Sequence, residues 1–265
     1  MKKQGLALAA ISYDSPAILK HFANRRGIHY PLLSDEDSKT IRAFGLLNES
    51  VPKSSPFFGI PHPVTFLLDR SGKVTAKYFE EDYKERQTLS GLLAHDYGLE
   101  ASAARGTPKA KHVKITTSAS TETVAGGQRI LLSVAIEMEP DIHVYAPGNT
   151  DYHAVEWTMT DSPAGKAHEV VYPPAKILFL PAIQEKVPVY EGKLTLLRDV
   201  TLGQERALRP LVSGTELRLQ GSLKYQACSD RLCYPPETVP LEWKLQLTKL
   251  DSERAPAELR KKSIQ

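Results

Sequence analysis

Cys228 and Cys233 are the only two cysteines among 265 residues, and Ser229-Asp230-Arg231-Leu232 is all that separates them. Sulfurs so placed can share a disulfide, supply half of a metal site, or stay as two unrelated buried thiols. Residues 217–225 alternate apolar and polar ahead of the pair, and residues 239–247 do so behind it. The pair is therefore expected at the tip of a β-hairpin, where two Cβ atoms come within disulfide range. A ring this short stabilises a fold by only about 2 kcal/mol. A chain of this length buries a sizeable core without such a staple. A bond that opens and recloses without disturbing the framework below it is thus favoured over an inert one. Zinc would need two further ligands, and no histidine or other cysteine lies close in sequence.

The remaining composition excludes several classes. Basic residues number 34 and acidic ones 31, for a net charge of +3, and no basic cluster is dense enough for nucleic acid. The run Arg260-Lys261-Lys262 reads as a solvated terminus. No stretch approaches the roughly 20 apolar residues that cross a bilayer. Eight histidines are present, none paired with another at ligand spacing, so His143 and His153 are expected to pack rather than coordinate, and no cofactor is implied. Leu6-Ala7-Leu8-Ala9-Ala10-Ile11 after Met1-Lys2-Lys3 is short for a signal peptide and reads better as a strand. Disulfide exchange belongs in an oxidising compartment, so an upstream segment is expected to direct export.

Several elements must position the sulfurs. Residues 6–12 read as a buried strand. A helix follows, capped by Ser15 with Pro16 at its first position and closed by Gly27. Residues 30–35 are extended and 38–44 form a short helix. Residues 64–68 and 74–78 make a hairpin through Asp69-Arg70-Ser71-Gly72, and 85–95 an amphipathic helix. Residues 100–111 are small, polar and aperiodic, as in a linker. Strands are expected over 113–117, 129–137, 141–146, 155–160, 169–172 and 193–200, and with the cysteine hairpin they suggest a two-sheet sandwich. The predicted organisation is a module over 1–99, a linker over 100–111, a sandwich over 112–250 and a loose tail over 251–265, briefly helical around 255–262.

Tyr225-Gln226-Ala227-Cys228 and Cys233-Tyr234-Pro235-Pro236-Glu237-Thr238 with Val239-Pro240-Leu241 resemble the N-terminal periplasmic domain of the thiol:disulfide interchange protein DsbD. Ile142-His143-Val144-Tyr145 and the stretch 189–196 fit the same pattern, and the likeness spans roughly 112–248. The resemblance implies an immunoglobulin-like β-sandwich that passes electrons among extracytoplasmic thiol proteins. It implies that Cys233 meets the partner sulfur and Cys228 resolves the intermediate. It also implies that Tyr145, Tyr190 and Tyr234 surround the sulfurs and that Phe179 or Ile183 caps them. The implied partners are a thioredoxin-like or membrane electron donor and oxidised periplasmic thiol proteins. The donor would be met as a separate molecule. Two departures stand out: the spacer of four residues is one shorter than the resemblance expects, and no acidic pair precedes Phe179.

Ala10-Ile11-Ser12-Tyr13-Asp14, Pro31-Leu32-Leu33-Ser34-Asp35 and the stretch 59–69 resemble the peroxiredoxin-like branch of the thioredoxin fold. By that match Pro63 takes the place of the cis-proline that faces the reactive cysteine. The strand and helix that carry this cysteine in the resembled fold are not among residues 1–99, so either they lie upstream of Met1 or the module is a remnant rearranged around the gap. No cysteine precedes residue 228, so peroxidase chemistry from this module lacks a nucleophile. The expected fold class is α/β plus all-β: an incomplete thioredoxin-like module followed by an immunoglobulin-like sandwich. The expected function is thiol:disulfide interchange, with a protein-binding sandwich held by a structural disulfide as the alternative.

Overall fold

The computed structural model describes residues 5–55, 57–80, 85–98, 101, 103–148, 152–180, 184–249, 251 and 253–259. The chain divides into two compact units, Met1–Tyr83 with Asp251–Gln265, and Lys84–Leu250.

In the first unit, β1 (Ala10–Ser12) pairs parallel with β2 (Leu32–Ser34), connected by helix α1 (Pro16–Arg26). Ser15 caps α1 by accepting a bond from the Ile18 amide at 3.4 Å, and Gly27 ends it in the left-handed conformation, as the sequence suggests. Helix α2 (Lys39–Ala43) is anchored by the Asp35 carboxylate, which accepts from the Thr40 and Ile41 amides at 3.0 and 2.8 Å. Strands β3 (Val64–Leu68) and β4 (Val74–Phe79) form the expected hairpin.

Three expectations change here. The first strand begins only at Ala10, because β2 offers it three partners, and Ile11 stays 49% exposed. Every peptide bond among the described residues is trans, His62–Pro63 included. Extended backbone entering β3 suffices there: the Pro63 carbonyl accepts from the Glu80 amide at 3.1 Å and His62 donates to Leu46 at 2.8 Å. The tail is not loose at its start. The Asp251 carboxylate takes two bonds from the Arg25 guanidinium, at 2.6 and 3.0 Å, while Ala257–Leu259 forms a 3₁₀ turn within the stretch expected to be briefly helical.

The second unit starts with β5 (Arg86–Gln87), beside β9, and α3 (Leu89–Tyr97), whose cap Thr88 accepts from the Gly91 amide. These residues were expected to close the first module as one helix. They instead cover the outer side of the sandwich, and Leu92 is buried there. The linker expectation also fails over β6 (Ala103–Gly106), which pairs with β7 (Val113–Ala119). Gly106 permits that pairing, since a Cβ there would come within 2.6 Å of Thr117 Oγ1. Strands β8 (Thr123–Val124), β9 (Gln128–Met138), β10 (His143–Tyr145), β11 (Glu156–Met159), β12 (Gly165–Val171), β13 (Lys176–Leu180), β14 (Glu185–Glu191), β15 (Lys193–Leu202), β16 (Glu216–Tyr225), β17 (Ala227–Cys228) and β18 (Glu237–Leu247) follow.

One sheet runs β12-β15-β9-β7-β6 and the facing one β11-β16-β18-β8. Strand β18 alternates buried and exposed residues, with Val239, Leu241, Trp243 and Leu245 inward, as one wet face requires. Strand β9 is buried on both sides from Ile130 to Val134 because α3 covers its outer face. Trp157 and Trp243 stack at 5.4 Å in the core. A third sheet, β13-β14-β10-β17, carries Cys228. Gly192, at φ 67°, lets the chain turn from β14 of this sheet directly into β15 of the sandwich.

Candidate functional site

The cysteine hairpin forms as expected, in register from Glu216↔Gln246 to Tyr225↔Glu237. At its last rung the Tyr225 hydroxyl lies 2.6 Å from Glu237 Oε2 and 2.8 Å from the Lys111 carbonyl. Above that clamp Gln226 donates to the Tyr234 carbonyl at 3.0 Å, and the Tyr234 amide to the Ala227 carbonyl at 2.9 Å. Ser229 tightens the tip: its amide donates to Leu232 O at 2.8 Å and its hydroxyl accepts from the Leu232 amide at 3.1 Å. This turn brings the two cysteines together, and they are disulfide-bonded with Cα atoms 4.0 Å apart.

The two sulfur-bearing residues differ sharply. Cys228 sits on a strand, fully buried, whereas Cys233 is exposed at the rim. Cys228 pairs across the ladder with His143, which pairs on its other side with Glu191. Cross-strand partners and residues two apart share a face, so Cys228, His143, Tyr145 and Val189 line one side of this sheet. Tyr145, Val187, Val189 and Cys228 form a small buried cluster there, with Leu178 and Tyr152 packed against it. The Tyr145 hydroxyl is 3.6 Å from Cys233 Sγ. Burial, and secondarily the Glu185 carboxylate, hold its phenol above the usual tyrosine range, so it stays a neutral O–H group at neutral pH. Tyr152 stacks on Tyr145 at 4.4 Å and donates to Glu185 at 2.8 Å.

Of the residues expected to surround the sulfurs, Tyr145 touches one. Tyr234 follows Cys233 and stacks on His112 at 3.7 Å. Tyr190 belongs to the opposite face, where it is part of the sandwich core and donates to the Pro173 carbonyl at 2.8 Å. Residues 176–180 form a strand, and it is Leu178 rather than Phe179 that packs on the cluster. Phe179 is 47% exposed beside Lys186, on the alternate side of the strand, and Ile183 lies outside the described residues. His143 was read as ordinary packing; it is buried, but in the row of Cys228. The alternation of His143-Val144-Tyr145 already places it on the face of Tyr145.

Residues 114–242 match the family described as "Thiol:disulfide interchange protein DsbD, N-terminal", and residues 1–77 match the AhpC/TSA family. The peroxiredoxin Bcp of Escherichia coli (strain K12) is 34% identical over 84 residues, 32% of this chain and 52% of that protein. The thiol-disulfide oxidoreductase ResA of Bacillus anthracis is 30% identical over 93 residues, 35% of this chain and 45% of that protein. The chain thus spans about half the length of the curated relatives it matches. Among solved structures, the N-terminal periplasmic domain of ScsB from Proteus mirabilis is 16% identical with a TM-score of 0.37, covering 59% of this chain and 55% of that one. The DsbD N-terminal domain of Neisseria meningitidis in the reduced form is 11% identical with a TM-score of 0.31, covering 43% and 77%. The chain thus has an AhpC/TSA-matching segment over residues 1–77 followed by a DsbD N-terminal match over residues 114–242.

Proposed function

We propose that the protein exchanges disulfides with partner thiol proteins through Cys228 and Cys233, relaying electron pairs rather than reducing peroxides. The observation that carries this reading is the unequal exposure of the two halves of the bond: Cys233 open to a partner, Cys228 sealed behind it. A partner thiolate attacks Cys233 Sγ, the S–S bond breaks, and its electron pair leaves on Cys228 Sγ. The partner's second thiolate then attacks its own sulfur in the mixed disulfide and releases Cys233. Two electrons have moved, the partner holds the new disulfide, and both sulfurs here are reduced. In reverse, Cys233 attacks an oxidised client and Cys228 resolves the intermediate.

Thioredoxin-like proteins or a membrane electron donor on one side, and oxidised thiol proteins on the other, are the partners this chemistry fits. An extracytoplasmic compartment suits it, since such bonds persist where the surroundings are oxidising. Equilibrating the folded protein with a series of dithiothreitol or glutathione buffers tests the reading. A potential within the range of exchange proteins, about −120 to −270 mV, is expected. A bond that resists reduction until the domain unfolds would mark a structural staple and a binding module instead.

A further inference from the structure

When Cys233 is attacked, the sulfur that must accept the leaving electron pair is the fully buried Cys228. A bare thiolate in an apolar pocket is costly, so a leaving group there needs a nearby proton or hydrogen-bond donor. Val187, Val189 and Leu178 supply neither. His143 can: it is the direct cross-strand neighbour of Cys228, with Cβ atoms about 4.5–5.5 Å apart in such a pair. The residue is 2% exposed, and its Nε2 is buried without a hydrogen-bond partner. An unpaired polar atom sealed in a core needs a reason. The Tyr145 ring packs against His143 at right angles, with centroids 5.6 Å apart.

We propose that His143 is the proton carrier of the disulfide: as the S–S bond opens, its imidazole takes one proton from solvent and holds it against the Cys228 thiolate. The inference rests on the exchange reading above. The step balances: partner thiolate, disulfide and one proton give the mixed disulfide and a thiolate–imidazolium pair. The surrounding charges fit the role. Asp230 in the ring and Glu191 across β14 both favour the imidazolium, and burial outweighs them while the disulfide is intact, holding the ring below the ordinary histidine value. Lys176 sits 3.1 Å from Glu191 and tempers that carboxylate. Tyr145 brings no charge. Opening the bond adds a third negative group, which tips the balance toward the charged ring.

The test is an imidazole NMR titration of the intact protein, oxidised and then reduced with dithiothreitol, with free thiols counted under native conditions. The reduced form is expected to bind the His143 proton at least tenfold more tightly, with thiolate absorbance already present below the pH at which the imidazolium loses that proton. In His143→Gln, reduction is expected to become up to tenfold less favourable at pH 5 and to match the wild type at pH 9. A bond that yields no thiols in the folded protein overturns both readings. A bond that reduces normally, with an unmoved imidazole titration, overturns the role of His143 alone.

Discussion

The Tyr145 hydroxyl lies 3.6 Å from the exposed sulfur of Cys233, within hydrogen-bond range of it. A neutral O–H there stabilises the thiolate once Cys233 is released and lowers its pKa. Tyr145→Phe keeps the stack with Tyr152 and removes only that donor. The reduced variant is expected to form about two- to tenfold less thiolate at neutral pH, equivalent to a bond of about 0.5–1.5 kcal/mol. Ultraviolet thiolate titration checks it, and an unchanged curve would leave the hydroxyl without influence on sulfur. At this scale the sequence was legible where motif and neighbour coincide. The cysteine spacing could be read directly, and Tyr145 only through the family resemblance. Phe179 misled because bulk drew attention to the wrong member of Leu178-Phe179, and only pairing with β14 shows which of the two faces the cluster.

At the scale of elements, the hairpin β16–β18 was readable nearly to the residue, since its alternation is long and one side is wet. Strands β13 and β14 were not. Lys176-Ile177-Leu178-Phe179-Leu180 lacks a clean period, and Pro188 interrupts the next run, although the ladder tolerates it. Strand β6 was hidden in small polar residues that pair irregularly with β7. The hairpin depends on its clamp. Tyr225→Phe removes the hydroxyl contacts with Glu237 and Lys111 and is expected to destabilise the second unit by about 1–3 kcal/mol in urea unfolding. Burial first, then Glu237, raises the affinity of this phenol for its proton. A raised folded-state value means stability that is complete below the ordinary tyrosine value of about 10 and declines as pH climbs beyond it. The wild type should therefore weaken above pH 10 more steeply than Tyr225→Phe, with urea midpoints as the measure.

At the scale of the molecule, two units with separate cores imply two unfolding events. Nearly all the large fully buried side chains lie in the second unit, among them Trp243, Tyr225 and Ile130. Calorimetry is expected to resolve an earlier transition for the first unit and a later one for the sandwich. Reducing the disulfide should lower only the later one, by about 5 °C for a ring worth about 2 kcal/mol in a unit this size. A shift of both transitions would contradict their independence. The division itself was only partly legible, because β5 and α3 follow the first module in sequence yet serve the second in space.

Gly192 is the one residue between β14 and β15, so the strand that backs the sulfurs and a strand of the main core are a single ribbon. Slide that ribbon by one residue and both halves invert together: Tyr190 would swing toward the bond and Val189 into the hydrophobic interior. The large sheet therefore acts as a ruler for the small one, and a mis-set chain is penalised in the main core long before any partner arrives.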